Sequence, residues 1–226
     1  MLIGGLIAVF FKLAKTIQST ILHFAAGVVF SVVAVEILPD VVRIHRPLQI
    51  ILGFLTGVMV MLSLKFFIKT LEKKSERSIE KKSFPITLFI GIAIDIFIDG
   101  LLVGIAFSVG NKEGFLLTLA IGIELFSLGL ATATSFREKA ISKFKTILCI
   151  GLLSLIFLVS LALGITLLHN IKDLMLEFIL SFGLSALLFL VVEELLTEAH
   201  EVKESPWQTS AFFAGFLLFL IMGMYL

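Results

Sequence analysis

Eight apolar runs, most of them long enough to cross a membrane as a helix, divide this 226-residue chain. A helix rising 1.5 Å per residue needs about 20 predominantly apolar residues to cross ~30 Å of hydrocarbon. The runs cover residues 2–17, 20–42, 48–70, 84–109, 114–136, 145–168, 174–200 and 207–226. With 59% hydrophobic and only 15% charged residues, the chain lacks the polar surface a soluble domain needs. The expected fold class is therefore all-α, a polytopic membrane protein with one transmembrane domain over residues 1–226. The first run is cut short by Lys12 and Lys15 and lacks the positive start of a signal peptide. LEKKSERSIEKKS, residues 71–83, is the one distinctly polar linker, expected as a charged cytoplasmic loop.

Lysine and arginine are distributed unevenly over the connections. Those after helices one, three, five and seven, with the flanking helix ends, hold fourteen of the 18 basic residues; the other connections hold only Arg43, Arg46, Lys112 and Lys172. By the positive-inside rule the basic connections face the cytoplasm and both termini lie outside, with Trp207 and Tyr225 as aromatic anchors near opposite interfaces. A net charge of +1 gives nucleic acid no electrostatic attraction, and the single Cys149 excludes an internal disulfide or a cysteine-built metal site.

Against this background DIFIDGLLVGIAF, residues 95–107, is anomalous. Asp95 and Asp99 stand four residues apart on one helix face, their side chains about 5–6 Å from each other. No lysine or arginine lies between Pro85 and Gly110, so either one aspartate keeps a proton or a cation sits between them. Asp95 is about 16 Å into its helix, and Glu124, reached from the opposite side after the short turn NKEG, is about 15 Å into the next. Three carboxylates at one depth form a candidate divalent-cation site; the rival reading makes them protonated acids that lock helices together. Gly91, Gly100, Gly104, Gly122 and Gly129 are expected to allow close helix approach.

Other acids lie nearer the helix ends. Glu36 and Asp40 fall toward the outer end of helix two, and Glu193 and Glu194 in the inner part of helix seven, followed by Glu198, His200 and Glu201. Glu194 and Glu198 share a face while Glu193 points elsewhere. These are candidate pathway residues, with simple solvation as the alternative for those at the very end. His23, His45 and His169 form no pattern.

Four stretches in order resemble the ZIP (Zrt/Irt-like) divalent-metal transporters, in particular their short bacterial members. HFAAGVVFSVVAVEILPD is similar to the family's second helix, DIFIDGLLVGIAF to its fourth, ELFSLGLA to its fifth and VVEELLTEAHE to its seventh. The resemblance covers nearly the whole chain. It implies an eight-helix bundle in a prokaryotic cell membrane, with Asp95, Asp99 and Glu124 as metal ligands and no organic cofactor. Where the family often holds a second metal, this chain has Ile96, Leu125, Leu128 and Ser154, so a single site is expected.

An all-carboxylate site without histidine leans toward Mn²⁺ or Fe²⁺ as substrate, although it also holds Zn²⁺, the family's usual cargo. Three negative charges on one dication leave a surplus that a proton can balance. The expected function is transport of a divalent metal into the cytoplasm, with lipid and metal ions as partners and a homodimer as a further option. The alternative is a degenerate homologue that binds metal as a sensor or partner subunit without moving it. Neither a phosphate-binding G-x-x-x-x-G-K-[ST] loop nor H-E-x-x-H is present, so the chain is not expected to be an enzyme.

Overall fold

The computed structural model describes residues 1–11, 14–43, 46–76, 86–168, 173–200 and 205–225. Among these there are eight helices. They are α1 (Leu2–Phe10), α2 (Lys15–Arg43, with a π-helical turn over Val33–Ile37), α3 (Pro47–Glu76), α4 (Ile86–Val109), α5 (Asn111–Glu138), α6 (Lys143–Leu168), α7 (Asp173–Phe189, then a π-helical turn Leu190–Leu195 and a last turn Leu196–Ala199) and α8 (Pro206–Tyr225). Seven of them, α2 to α8, are long and apolar enough to cross a membrane. The all-helical, multi-pass fold class expected from the sequence therefore holds, and lipid is the surrounding medium. Trp207 and Tyr225 lie exposed at the two ends of α8.

Three boundaries differ from expectation. The first helix has nine residues, about 14 Å, too short to cross. Phe11 turns to extended backbone, and the Arg137 guanidinium donates to the Ala8 carbonyl at 3.1 Å, satisfying an end of the helix that lost its intrahelical partners. Lys15, taken as the close of helix one, instead begins helix two. The third helix runs on to Glu76, into the stretch expected to be loop, because its Leu-Glu-Lys-Lys sequence favours helix; residues 77–83 lie outside the described residues. The turn between α4 and α5 is Gly110 alone, and NKEG starts α5.

The helices fall into two groups by their packing. In the first, α4 lies along α6 and α1 along α5 and α6; in the second, α2 lies along α8 and α3 along α7. The groups meet along a seam where α2 faces α5 and α4 faces α7. Buried shares of 61% for α2 and 56% for both α5 and α7 make these the central helices, whereas α3, α6 and α8, at 22% or less, form the lipid-facing rim.

At the glycines, close backbone contact lies within each group. A Cβ on Gly104 would lie 2.6 Å from the Gly164 Cα, so α4 and α6 touch backbone to backbone. Gly4 and Gly129 do the same for α1 and α5, Gly27 and Gly215 for α2 and α8, Gly53 and Gly57 for α3 and α7. Across the seam, Gly91 and Gly183 meet only the side chains of Ile68, and of Ile105 and Leu102. Gly122, expected at a close approach, has nothing within 4 Å.

Gly104→Val should therefore cost about 1–3 kcal/mol of stability by forcing α4 and α6 apart. Gly122→Ala, where space is free, should leave it unchanged or raise it slightly. Thermal unfolding of the two variants in detergent checks the contrast.

Candidate functional site

The α4–α5 hairpin brings the sequence-predicted trio together. Because one residue joins the two helices, α5 doubles back along α4, and Glu124 arrives at the level of Asp95 and Asp99. One carboxylate oxygen from each of Asp95, Asp99 and Glu124 lies within 4.8 Å of the other two. Asp99 is 1% exposed and Glu124 3%, while Asp95 is only partly buried. Asp99 Oδ2 and Glu124 Oε2 are buried with no hydrogen-bond partner among the described residues. A buried carboxylate oxygen without a donor is costly to leave so, and its lone pair is open to accept a cation or a proton.

A cavity of about 450 Å³ reaches Asp95, alone of the trio, from one side. Asp95 lines its inner end, Glu194 and Glu198 its wall, and Lys65, Lys69 and Ser135 its far end, which is the lysine-rich end of the bundle. Glu194 lines the same cavity as Asp95. Glu194 thus joins the site as a fourth acid. The second π-helical turn presents it: an i→i+5 turn rotates the side chains after it by an extra step, and such turns recur at functional sites. Glu193, on the adjacent face, turns away from the trio to pair with Lys65.

The remaining candidates are dispersed. Glu36 pairs with Lys112 at 3.3 Å and Asp40 with Arg43 at 3.8 Å, both at the end opposite the lysine-rich one and away from the trio. Glu198 lines the cavity, but His200 stacks edge-on against the His23 ring, with centroids 5.2 Å apart. Glu201 lies outside the described residues, as do His45 and His169. Of the residues at the expected second-metal positions, Ile96 is fully buried, Leu125 is core, Leu128 lines the cavity, and the Ser154 hydroxyl donates to the Ile150 carbonyl at 2.9 Å.

Two features were missed in the sequence. Lys65 reaches the cavity, giving the acids a basic neighbour from α3 that no reading of α4 alone could find. A polar knot also ties α2 to α7 and α8 near the cavity's lysine-rich end. The Ser19 hydroxyl donates to the Ala199 carbonyl at 2.7 Å, and the fully buried Gln208 amide donates to Ser19 at 2.9 Å. His23 donates through Nδ1 to the Ser19 carbonyl at 2.8 Å. The signal available was Gln208 itself, an amide at the head of an apolar run.

The chain matches no family model and no curated protein. Chemically, the trio offers only carboxylate oxygens, a donor set suited to hard or borderline dications, held in a place where uncompensated negative charge is expensive.

Because the trio is mutually repulsive without a cation, Asp99→Asn should raise the thermal stability of the metal-free protein, by about 1 kcal/mol or more, while removing any stabilisation by added divalent metal. Melting curves with and without metal, for this variant and the parent, test both halves.

Proposed function

We propose that the protein is a ZIP-like transporter that carries a divalent metal cation into the cytoplasm through the carboxylate site at the middle of the membrane. The observation that carries this reading is the convergence of Asp95, Asp99 and Glu124, two of them with partnerless buried oxygens and the third, Asp95, lining a one-sided cavity. An intramembrane acid cluster with water access from one side is what a substrate path requires and what a purely structural lock does not. The resemblance of the second, fourth, fifth and seventh helices to ZIP proteins supplies the substrate class, zinc by family habit, with Mn²⁺ or Fe²⁺ favoured by the absence of histidine.

Under the positive-inside rule the lysine-rich end is cytoplasmic, so the cavity is the exit and Glu194 and Glu198 line it. The two helix groups, each locked internally by glycine contacts and meeting through side chains at the seam, suit a carrier that alternates its access. Glu36 and Asp40 then belong to the outer mouth. No nucleotide is needed, and a bound dication displaces protons from the trio.

A second reading has its own support. Ile96 offers no ligand for the second metal of many ZIP proteins and the Ser154 hydroxyl is already bonded to the Ile150 carbonyl, which favours a chain that binds metal as a sensor or partner subunit without moving it.

Uptake into proteoliposomes of Zn²⁺, Mn²⁺, Fe²⁺, Co²⁺ and Cd²⁺ separates the two. Transport predicts uptake that falls at least about tenfold in Asp95→Ala, Asp99→Ala and Glu124→Ala, since each removes a ligand from a site with few. Binding without uptake would favour the sensor, and undiminished uptake in all three variants would overturn the site. Since ligands must be deprotonated to hold metal, affinity in detergent should weaken as pH is lowered from about 8 to about 5; a flat profile would refute proton competition.

A further inference from the structure

The end of the bundle opposite the cavity is sealed twice. Ile37 from α2, Leu102 and Ala106 from α4, and Leu180, Leu184 and Leu187 from α7 close around a void of about 10 Å³, room for one water at most. Beyond this apolar plug lies the Glu36–Lys112 ion pair, its side chains 9% and 36% exposed. Both seals straddle the seam: Glu36 is on α2 of one group, Lys112 on the first turn of α5 of the other. The pairs Lys65–Glu193, Arg46–Glu177 and Asp40–Arg43 each remain within one group.

The local structure holds Glu36 in place for this role. It sits in the π-helical turn of α2 with its carboxylate against Gly223 of α8, where a side chain larger than hydrogen would strike it. Its free direction is toward α5, and there Lys112 meets it. Lys112 is also within electrostatic reach of Asp40, on the next turn of α2. The ammonium therefore occupies the acidic mouth in which a cation arriving from that side would first be held.

We propose that Lys112 is a tethered cation that latches this mouth: it binds the Glu36 carboxylate across the seam, keeps the plugged end shut while the cavity end is open, and is displaced when a dication competes for the same carboxylates. The purpose of the latch rests on the transport reading, but its geometry and its test do not. An ammonium on a flexible stem is suited to such a role, because it is a point charge that leaves readily, unlike a bidentate guanidinium.

The test uses the full chain in lipid nanodiscs, both faces accessible, in a Cys149→Ser background with one reporter thiol and no added metal. Leu184→Cys reports on the plug, where Leu184 is 4% exposed, and Ser135→Cys on the cavity. Alkylation by a water-soluble maleimide should quicken roughly fivefold at Leu184→Cys and slow at Ser135→Cys when either Lys112→Gln or Glu36→Gln is introduced. Lys112→Arg should leave both rates near those of the parent, and the exchanged pair Glu36→Lys with Lys112→Glu should restore them. Unchanged rates at both reporters in the two glutamine variants overturn the latch, as does an exchanged pair that behaves like the single variants. If Lys112→Gln does not yield a monodisperse protein, Glu36→Gln with the exchanged pair decides the matter. Unchanged thiol rates alongside metal uptake refute the latch alone; absent uptake with shifted rates refutes transport alone.

Discussion

Three carboxylates placed where water is scarce govern the rest of this molecule. In a medium of low dielectric, like charges within 4.8 Å repel far more strongly than at a surface, and no arginine or lysine of α4 is available to neutralise them. The site can exist only if the surrounding helices hold it against that repulsion and if a proton or cation reaches it. The fold speaks to both conditions. The single-residue hairpin between α4 and α5 fixes the trio's spacing through the backbone, and the cavity that ends at Asp95 brings water, and with it ions, to one side of the cluster.

The same constraint explains how stability is distributed. Lipid tails are as apolar as leucine, so helices in a membrane associate through close van der Waals contact rather than through hydrophobic exclusion. The glycine pairs that allow such contact all lie inside one or other helix group, and the acidic trio lies wholly on the first, beside the seam. A bundle that stored its tight contacts at the seam would fix the two groups against each other. One that keeps them within the groups leaves the seam to aliphatic side chains, which pack without interlocking backbones.

Much of this was legible in the sequence, and the limits have physical causes. The spacing of Asp95 and Asp99, and the depth of Glu124, required only the rise of a helix and the length of the runs, and these placed the trio correctly. Lys15 misled, because a lysine in an apolar run reads as an end whether it closes one helix or opens the next. Helical spacing already set Glu194 and Glu193 on different faces, but the two π-helical turns leave no residue signature, and Lys65 as the partner of Glu193 could not be foreseen. Glu36 read as a pathway acid because its partner, Lys112, is seventy-six positions away and on another helix. Gln208, Ser19 and His23 are each unremarkable alone; only the packing of α2, α7 and α8 makes them one hydrogen-bonded knot.

A site for a transported ion must bind well enough to fill and weakly enough to empty. Three carboxylates on one dication, buried and fully desolvated, would approach a trap. In the proposed role the limit on binding enters through Asp95, the member of the trio that faces the cavity, which Glu194 also lines. An aspartate that borders a cavity is a ligand water can compete for, unlike the fully buried Asp99 and Glu124. The apolar Ile96, and the Ser154 hydroxyl that already donates to a carbonyl, act in the same direction, because they offer no further ligands that would deepen the well. The small donor set and its single cavity-facing ligand are thus two parts of one arrangement, in which affinity is limited on the side where the cavity lies.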